Sequence, residues 1–249
     1  MNTALTIERL YDMRLGPMAE AFSSELKRTG DPALGFAERF SLVVEHQWVT
    51  REEGRLARRL KNAALKVDAS IEEIDFAAAR GLDRTVVADL AELSFLRAAG
   101  NVIVTGATGL GKTYLACAIA DRACRCGYTA LYKRMPKLVF ELALARADGS
   151  YLKALEKIAK VDLLILDDWG IAALEVQAAN DIMDLVDDRS GRSSTIVTSQ
   201  LPVSEWHHLI ADPSVADALL DRLVHRAVRL ELKGGSMRKE TPKRPRKLT

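Results

Sequence analysis

The chain has 249 residues, 48% of them hydrophobic and 28% charged, which excludes a fully disordered protein and suits one large domain or a domain with an appendage. The 36 Lys and Arg nearly balance the 34 Asp and Glu, for a net charge of +2. The first residues lack the pattern of a secretory signal, and no run approaches the roughly 18 apolar residues of a membrane span. Three cysteines without CxxC spacing exclude a disulfide framework and a zinc ribbon. We therefore expect a cytoplasmic protein.

The first 66 residues are predicted to form a small all-helical domain. Apolar residues recur at helical spacing from residue 3 to 65, with a break at residues 30 to 32. Residues 51 to 66 contain six basic and two acidic residues. Two interpretations of this excess stay open, a solvated helix face and a face that contacts nucleic acid. The candidate DNA contacts are Arg55, Arg58, Arg59 and Lys61. Oligomerisation, partner binding and DNA contact are the roles considered for this domain.

Residues 67–95 have the composition of an acidic connector that leads into a short helix. From residue 96 to 238 the pattern indicates an α/β domain. Short apolar runs at residues 101–106, 129–134, 162–168, 194–199 and 227–232 alternate with longer helical patterns. Strands that are apolar throughout and alternate with helices are typical of a parallel sheet covered on both faces.

The first apolar run leads directly into the segment GATGLGKT, residues 106 to 113. Its spacing, G-x-x-x-x-G-K-[ST] between a strand and a helix, is that of the phosphate loop known as Walker A. Glycines let backbone N–H groups turn inward, and the following helix adds its positive end. The lysine is expected on the β- and γ-phosphates of ATP, and the threonine hydroxyl on Mg²⁺. The predicted nucleotide-binding residues are Gly106, Ala107, Thr108, Gly109, Leu110, Gly111, Lys112, Thr113 and Tyr114.

A second acidic motif follows in VDLLILDDWG, residues 161 to 170. Leu163 to Leu166 form a buried strand that ends in Asp167 and Asp168. Ligands of open α/β sheets bind at the carboxyl edge, so these carboxylates are expected beside the phosphate loop. We predict that Asp167, with Thr113, holds Mg²⁺, and that Asp168 polarises the attacking water.

The basic residues are concentrated at the end of the chain. From residue 233 onward there are seven basic residues and one acidic residue, so the rest of the chain sums to −4. A basic tail on such a body indicates a polyanionic partner. Residues 239–249 are predicted to be a disordered tail.

Five motifs in order resemble the IstB-like proteins: the phosphate loop, LLILDDWG, TSQLP, ADALLDRLVHRAVRLEL and GGSMR. That family consists of AAA+ ATPases that assist transposition and are related to the helicase loader DnaC and the initiator DnaA. The resemblance covers nearly the whole chain. It implies an AAA+ P-loop fold and an ATPase that oligomerises on duplex DNA with ATP at subunit interfaces. It also implies a transposase partner whose target selection and DNA insertion the protein assists.

The resemblance assigns further roles. Gln200 is similar in position to the sensor that feels the γ-phosphate, Arg222 to an arginine finger that enters the neighbouring subunit's site, and Arg238 to a second sensor. The chain differs from the common AAA+ pattern at two positions. Most AAA+ ATPases have Glu at the position of Asp168, and the first sensor is often Asn where this chain has Gln200. We interpret the shorter Asp168 side chain as a feature that slows ATP hydrolysis without abolishing it. Misplacement of a catalytic group on the order of 1 Å can cost ~10²-fold in rate.

In relatives, the segment corresponding to residues 133 to 160 is a helical insertion that touches DNA. In this chain the segment contains seven basic and three acidic residues. The candidate DNA contacts are Lys133, Arg134, Lys137, Arg146 and Lys153. A solvated pair of amphipathic helices would have the same composition. No base-reading motif is recognisable in the sequence, so we expect phosphate contacts with little sequence preference.

Three hypotheses of function result. The first is an ATP-dependent, DNA-binding transposition helper. The second is a replicative helicase loader of the DnaC type, which differs in the partner of its N-terminal part. The third is a P-loop kinase for a small molecule, against which the basic tail, the Asp pair and Arg222 argue.

Overall fold

The structure is a computed structural model that describes residues 3–27, 34–77 and 80–237. The described residues divide between Arg58 and Arg59 into two compact units. The predicted domain limits at residues 66, 95 and 238 stay predictions. The predicted basic tail, residues 239–249, and the predicted helix break at residues 30–32 lie outside the described residues.

The first unit is helical, as the apolar spacing predicted. Helix α1 spans Thr3–Asp12, α2 spans Gly16–Lys27 and α3 spans Phe36–Ala63. Ala19 and Val43 are its buried apolar residues, and the backbone N–H of Met18 on α2 donates to Oε1 of Gln47 on α3 at 3.2 Å. This small core leaves large side chains such as Phe36 and Trp48 exposed.

The second unit alternates strands and helices. The helices are α4 (Arg84–Ala91), α5 (Ser94–Arg97), α6 (Lys112–Arg125), α7 (Met135–Ala147), α8 (Tyr151–Ala159), α9 (Val176–Arg189) and α10 (Pro213–Val224). The strands are β1 (Val102–Gly106), β2 (Ala130–Arg134), β3 (Leu163–Trp169), β4 (Ser194–Ser199) and β5 (Val228–Leu232). Within the described ranges, no helix is both long enough and apolar enough to cross a membrane.

The strands form one parallel sheet in the order β2-β3-β4-β1-β5, which confirms the predicted α/β architecture. Ile103, Leu164 and Val197 are fully buried because helices cover both faces of the central strands. Because the strands are parallel, the carboxyl ends of β1, β3 and β4 lie side by side at one edge of the sheet. That edge carries the phosphate loop, Asp167 and Gln200.

A bulge interrupts β3 where the acidic pair lies. The register between β3 and β4 shifts between Leu166 and Trp169, and Asp168 has a φ of +63°, in the left-handed region. The N–H of Asp168 donates to Oγ1 of Thr198 on β4 at 3.2 Å. The bulge turns the second carboxylate out of the regular strand alternation, so Asp167 is fully buried while Asp168 reaches the surface of the cleft.

The opposite edge of the sheet is held by one side-chain amide. Nδ2 of Asn101, the residue before β1, donates to the carbonyls of Arg222 at 2.9 Å and Leu223 at 3.2 Å. Its Oδ1 accepts the N–H of Thr195 on β4 at 2.9 Å. The end of α10 is thereby fixed at the amino ends of β1 and β4.

Candidate nucleotide-binding site

The loop between β1 and α6 has the backbone that its glycines permit. Gly106, Gly109 and Gly111 have φ values of +140°, +89° and +86°. A Cβ on Gly106 would lie 2.3 Å from the carbonyl oxygen of Leu232 on β5. Any side chain at this position would therefore push β1 and β5 apart or change the loop.

Lys112 begins α6, and its side chain folds back over the loop. Its Nζ donates to the carbonyl oxygens of Gly106 at 2.6 Å and Ala107 at 2.9 Å. The residue is buried, so its ammonium is held at the loop rather than in solvent. A polyphosphate in the loop would meet both this ammonium and the positive end of α6.

Asp167 is the centre of a buried hydrogen-bond cluster. Its Oδ1 accepts from the hydroxyls of Thr113 at 2.9 Å and Thr198 at 2.5 Å, and its Oδ2 accepts from the hydroxyl of Tyr132 at 2.5 Å. Nζ of Lys66 lies 3.7 Å from Oδ2. Burial and then the bond to Asp167 raise the pKa of Tyr132, so its hydroxyl stays a donor.

The hydroxyl of Thr113 and the carboxylate of Asp167 together fit Mg²⁺. Thr113 and Asp167 bring a hydroxyl and a carboxylate together at the mouth of the loop, and both are hard oxygen ligands. Among the described residues no group of three or more His, Cys, Asp and Glu could hold a metal ion. Mg²⁺ in nucleotide sites needs no such group, because waters and phosphates complete its coordination.

Asp168 is ion-paired in the structure. Nε of Arg134, at the end of β2, donates to its Oδ2 at 2.6 Å. This hydrogen bond, with the negative charge of Asp168, raises the pKa of Arg134, so the guanidinium stays charged. Arg134 was a candidate DNA contact, and the structure places it in the nucleotide cleft.

The cleft beside the loop has a volume of about 450 Å³. Its walls contain predicted residues of the loop, of the start of α6, of β3 and of the residue after β4, namely Thr108, Gly109, Gly111, Lys112, Thr113, Tyr114, Asp168 and Gln200. Gln200 follows β4 and is exposed, in reach of the cleft. Leu110 is instead buried, with its side chain beneath the loop against Gly106.

Arg222 lies away from this cleft. It is in the last turn of α10, where its Nε donates to Oδ1 of Asp187 at 2.6 Å and its Nη1 to the carbonyl of Ala218 at 3.0 Å. Because Asn101 holds this turn at the opposite edge of the sheet, Arg222 cannot reach the phosphate loop of its own chain. Arg238 lies outside the described residues.

The other candidate DNA contacts are scattered over the chain. Arg146 donates to Asp181 and its guanidinium stacks 3.7 Å from the ring of Tyr151, and Arg59 donates to the carbonyl of Cys124 at 2.8 Å. Others have acidic neighbours: Arg55 pairs with Glu52, and both Lys133 and Lys137 pair with Glu141. Arg58, Lys61 and Lys153 are exposed. The DNA-binding role of all of them stays a prediction.

Sequence reasoning missed Tyr132, Thr198 and Arg80. Thr198 stands at the carboxyl end of its strand, at the same edge as Asp167, so its place in the chain was a usable signal. Tyr132 reaches Asp167 only through the pairing of β2 with β3. Arg80 is in an irregular segment 30 residues before Leu110, whose carbonyl it contacts, and no periodicity marks it.

Comparison with known proteins identifies the family. The family model of the IstB-like ATP binding proteins matches residues 8–245. The chain belongs to this family. A putative insertion sequence ATP-binding protein of Sinorhizobium fredii is 44% identical over 234 residues, which cover 94% of this chain and 96% of that protein.

Solved structures show the fold that this IstB-like protein shares. The crystal structure of DnaI is similar with a TM-score of 0.57 and 24% identity, over 72% of this chain and 92% of that one. The AMPPCP-bound DnaA of Aquifex aeolicus has a TM-score of 0.58 and 18% identity, over 74% of this chain and 58% of that one. The IstB-like chain therefore has the AAA+ P-loop fold that the motifs predicted.

Proposed function

We propose that this IstB-like protein is a cytoplasmic, ATP-dependent DNA-binding ATPase that oligomerises on duplex DNA and assists a transposase. The observation that carries the ATPase part is the phosphate loop with the Thr113–Asp167 pair at its mouth. Membership of a family whose similar relatives are named insertion sequence ATP-binding proteins supports the transposition part.

In the proposed reaction, water attacks the γ-phosphate and releases ADP and phosphate. Loop N–H groups and Lys112 would bind the phosphates, and Thr113 and Asp167 would hold Mg²⁺, which would supply positive charge to the phosphate oxygens. Asp168 accepts a hydrogen bond from the attacking water and orients it. Its short side chain and the positive charge of Arg134 on its Oδ2 make slow basal turnover an expectation. Gln200, which lines the cleft at the end of β4, would contact the γ-phosphate.

Assembly would complete the site. Arg222 cannot serve its own chain, so a neighbouring subunit would supply it in trans. A guanidinium that enters from outside neutralises transition-state charge only when subunits have docked. Hydrolysis would then report assembly.

DNA binding is proposed to depend on phosphate contacts from the basic residues of the first 66 residues, of the segment 133–160 and of the tail. For such contacts log K falls with log salt by about 0.9 per phosphate. Deleting residues 239–249 should flatten this slope while DNA-free ATP turnover stays unchanged. A slope near zero in the full chain would refute the electrostatic mode of binding.

The test of function is ATP turnover with and without duplex DNA, with Lys112→Ala as the variant that lacks the phosphate ligand. We expect DNA to stimulate the wild type and the variant to lose ATP binding. Pull-downs with the transposase and with the replicative helicase distinguish the helper from a DnaC-type loader. Capture of the helicase alone, or phosphate transfer to a small molecule without DNA stimulation, would refute the proposal.

A further inference from the structure

Two hydrogen bonds hold the phosphate loop through its carbonyl groups. The backbone N–H of Met237 donates to the carbonyl of Gly109 at 2.9 Å. Nη1 of Arg80 donates to the carbonyl of Leu110 at 3.2 Å. The two carbonyls belong to consecutive peptide groups, so both planes of this part of the loop are fixed by residues that follow β5 or precede α4.

The geometry of the peptide group determines where the neighbouring N–H groups of the loop point. In a trans peptide the C=O and the next N–H are coplanar and point in opposite directions. Fixing the carbonyls of Gly109 and Leu110 therefore also fixes the N–H groups of Leu110 and Gly111, which point the opposite way in the same two peptides. Inward-facing N–H groups are what a phosphate loop offers to its anion.

Arg80 is built into this position. Only 5% of it is exposed, its Nη2 donates to the carbonyl of Asp75 at 2.6 Å, and its own carbonyl accepts the N–H of Lys233 at 2.9 Å. The absence of a side chain on Gly111 makes room for it, because a Cβ there would lie 2.7 Å from Nη1.

The charge of Arg80 is incompletely satisfied. Among the described residues its side chain donates to neutral carbonyls, forms no ion pair with a carboxylate, and its buried Nε has no hydrogen-bond partner. A buried cation without a counter-ion is unfavourable in the empty protein. A polyphosphate on the other side of the loop would supply the missing negative charge.

We propose that Arg80 is a positioning residue for ATP: it orients the Leu110–Gly111 peptide of the phosphate loop, and its buried charge is compensated by the bound phosphates. This inference rests on the proposed function, because it takes the loop to be the ATP site. The backbone N–H of Met237 fixes the preceding peptide, between Gly109 and Leu110.

The decisive measurement is the Kd for ATP and for ADP by titration calorimetry, with thermal unfolding of each empty variant recorded beside it. Arg80→Gln should weaken ATP binding about ten- to a hundred-fold, which corresponds to losing a charged hydrogen bond. Arg80→Lys keeps the charge with a less directed donor and should fall between this variant and the wild type. Arg84→Gln is the matched control, since Arg84 is exposed in the same segment and stacks over Phe76 at 4.7 Å.

A further variant tests the peptide planes independently. Met237→Pro removes the backbone N–H donor to the Gly109 carbonyl and should weaken ATP binding. A role of Arg80 in folding alone would lower the melting temperature and leave the Kd of the folded protein unchanged, and that result would overturn the inference. Failure of the wild type to bind ATP would instead refute the proposed function.

Discussion

Arg222 offers the sharpest test of whether the protein is an assembly enzyme. The strand β1 separates its turn from the phosphate loop, and five residues at about 3.3 Å each span on the order of 16 Å, which is farther than an arginine side chain extends. Its ion pair with Asp187 is partly exposed, with 32% and 57% of the two side chains accessible, so it is worth only about 0–1 kcal/mol. The guanidinium can therefore leave Asp187 for a neighbouring site at small cost.

The perturbation is a mixture of two inactive variants. Arg222→Ala lacks the finger and Lys112→Ala lacks the phosphate ligand. If Arg222 acts in trans, a Lys112→Ala subunit can donate its arginine to a neighbour that still binds ATP. Random mixing at equal amounts makes about a quarter of ordered head-to-tail interfaces productive. An arginine finger is worth about 10³-fold or more in rate, so this fraction should stand well above either variant alone.

The assay is phosphate release at fixed total protein with duplex DNA, across the full range of mixing ratios. Turnover should rise to a maximum near equal amounts and fall to zero at both ends. Asp187→Ala is the control, because it removes the partner of Arg222 without removing Arg222 itself, and it should retain activity. A flat zero, with co-assembly shown by cross-linking, would refute the trans role.

Three further predictions concern the carboxylates and the core. Asp168→Asn should bind ATP normally and lose turnover, because Asp167 would still be present to hold Mg²⁺; unchanged phosphate release would remove Asp168 from the mechanism. Asp167→Ala leaves three hydroxyls without their acceptor and should lower the free energy of unfolding by about 3 kcal/mol. Asp167→Asn should recover most of that stability without recovering turnover. Equal melting temperatures of the two variants in thermal unfolding would contradict this. Arg189→Met should lower the melting temperature by roughly 6–12 °C without changing ATP affinity. The reason is that buried Arg189 donates to backbone carbonyls at the end of the sheet away from the loop. An unchanged melting temperature would contradict this account of the core.

The predictable part of the molecule is the part set by local chemistry. Strand β3 could be predicted because Leu163–Leu166 are apolar on both faces, and the phosphate loop because its residues must have fixed spacing to turn N–H groups inward. Both features depend on neighbours in the chain. The position of Asp167 at the sheet edge followed from the same reasoning.

The features that could not be predicted depend on register or on distant backbone. Tyr132 reaches Asp167 only because β2 pairs with β3 in one register, and nothing in the segment itself sets that register. The turn of Asp168 toward Arg134 requires a bulge that its flanking residues do not encode in any recognised pattern. Arg80 lies in a segment without periodicity, so its contact with the loop appears only in three dimensions.

The amide of Asn101 also bears on how an assembly would grow. It ties the turn that carries Arg222 to the start of β1, and the far end of β1 carries the subunit's own phosphate loop. If Arg222 acts in trans, each subunit has a donor end and an acceptor end joined by one strand. An open row of subunits then always ends in one whose ATP has no donor. That terminal ATP would outlast the others, so the two ends of the row would differ chemically and could be extended or released independently.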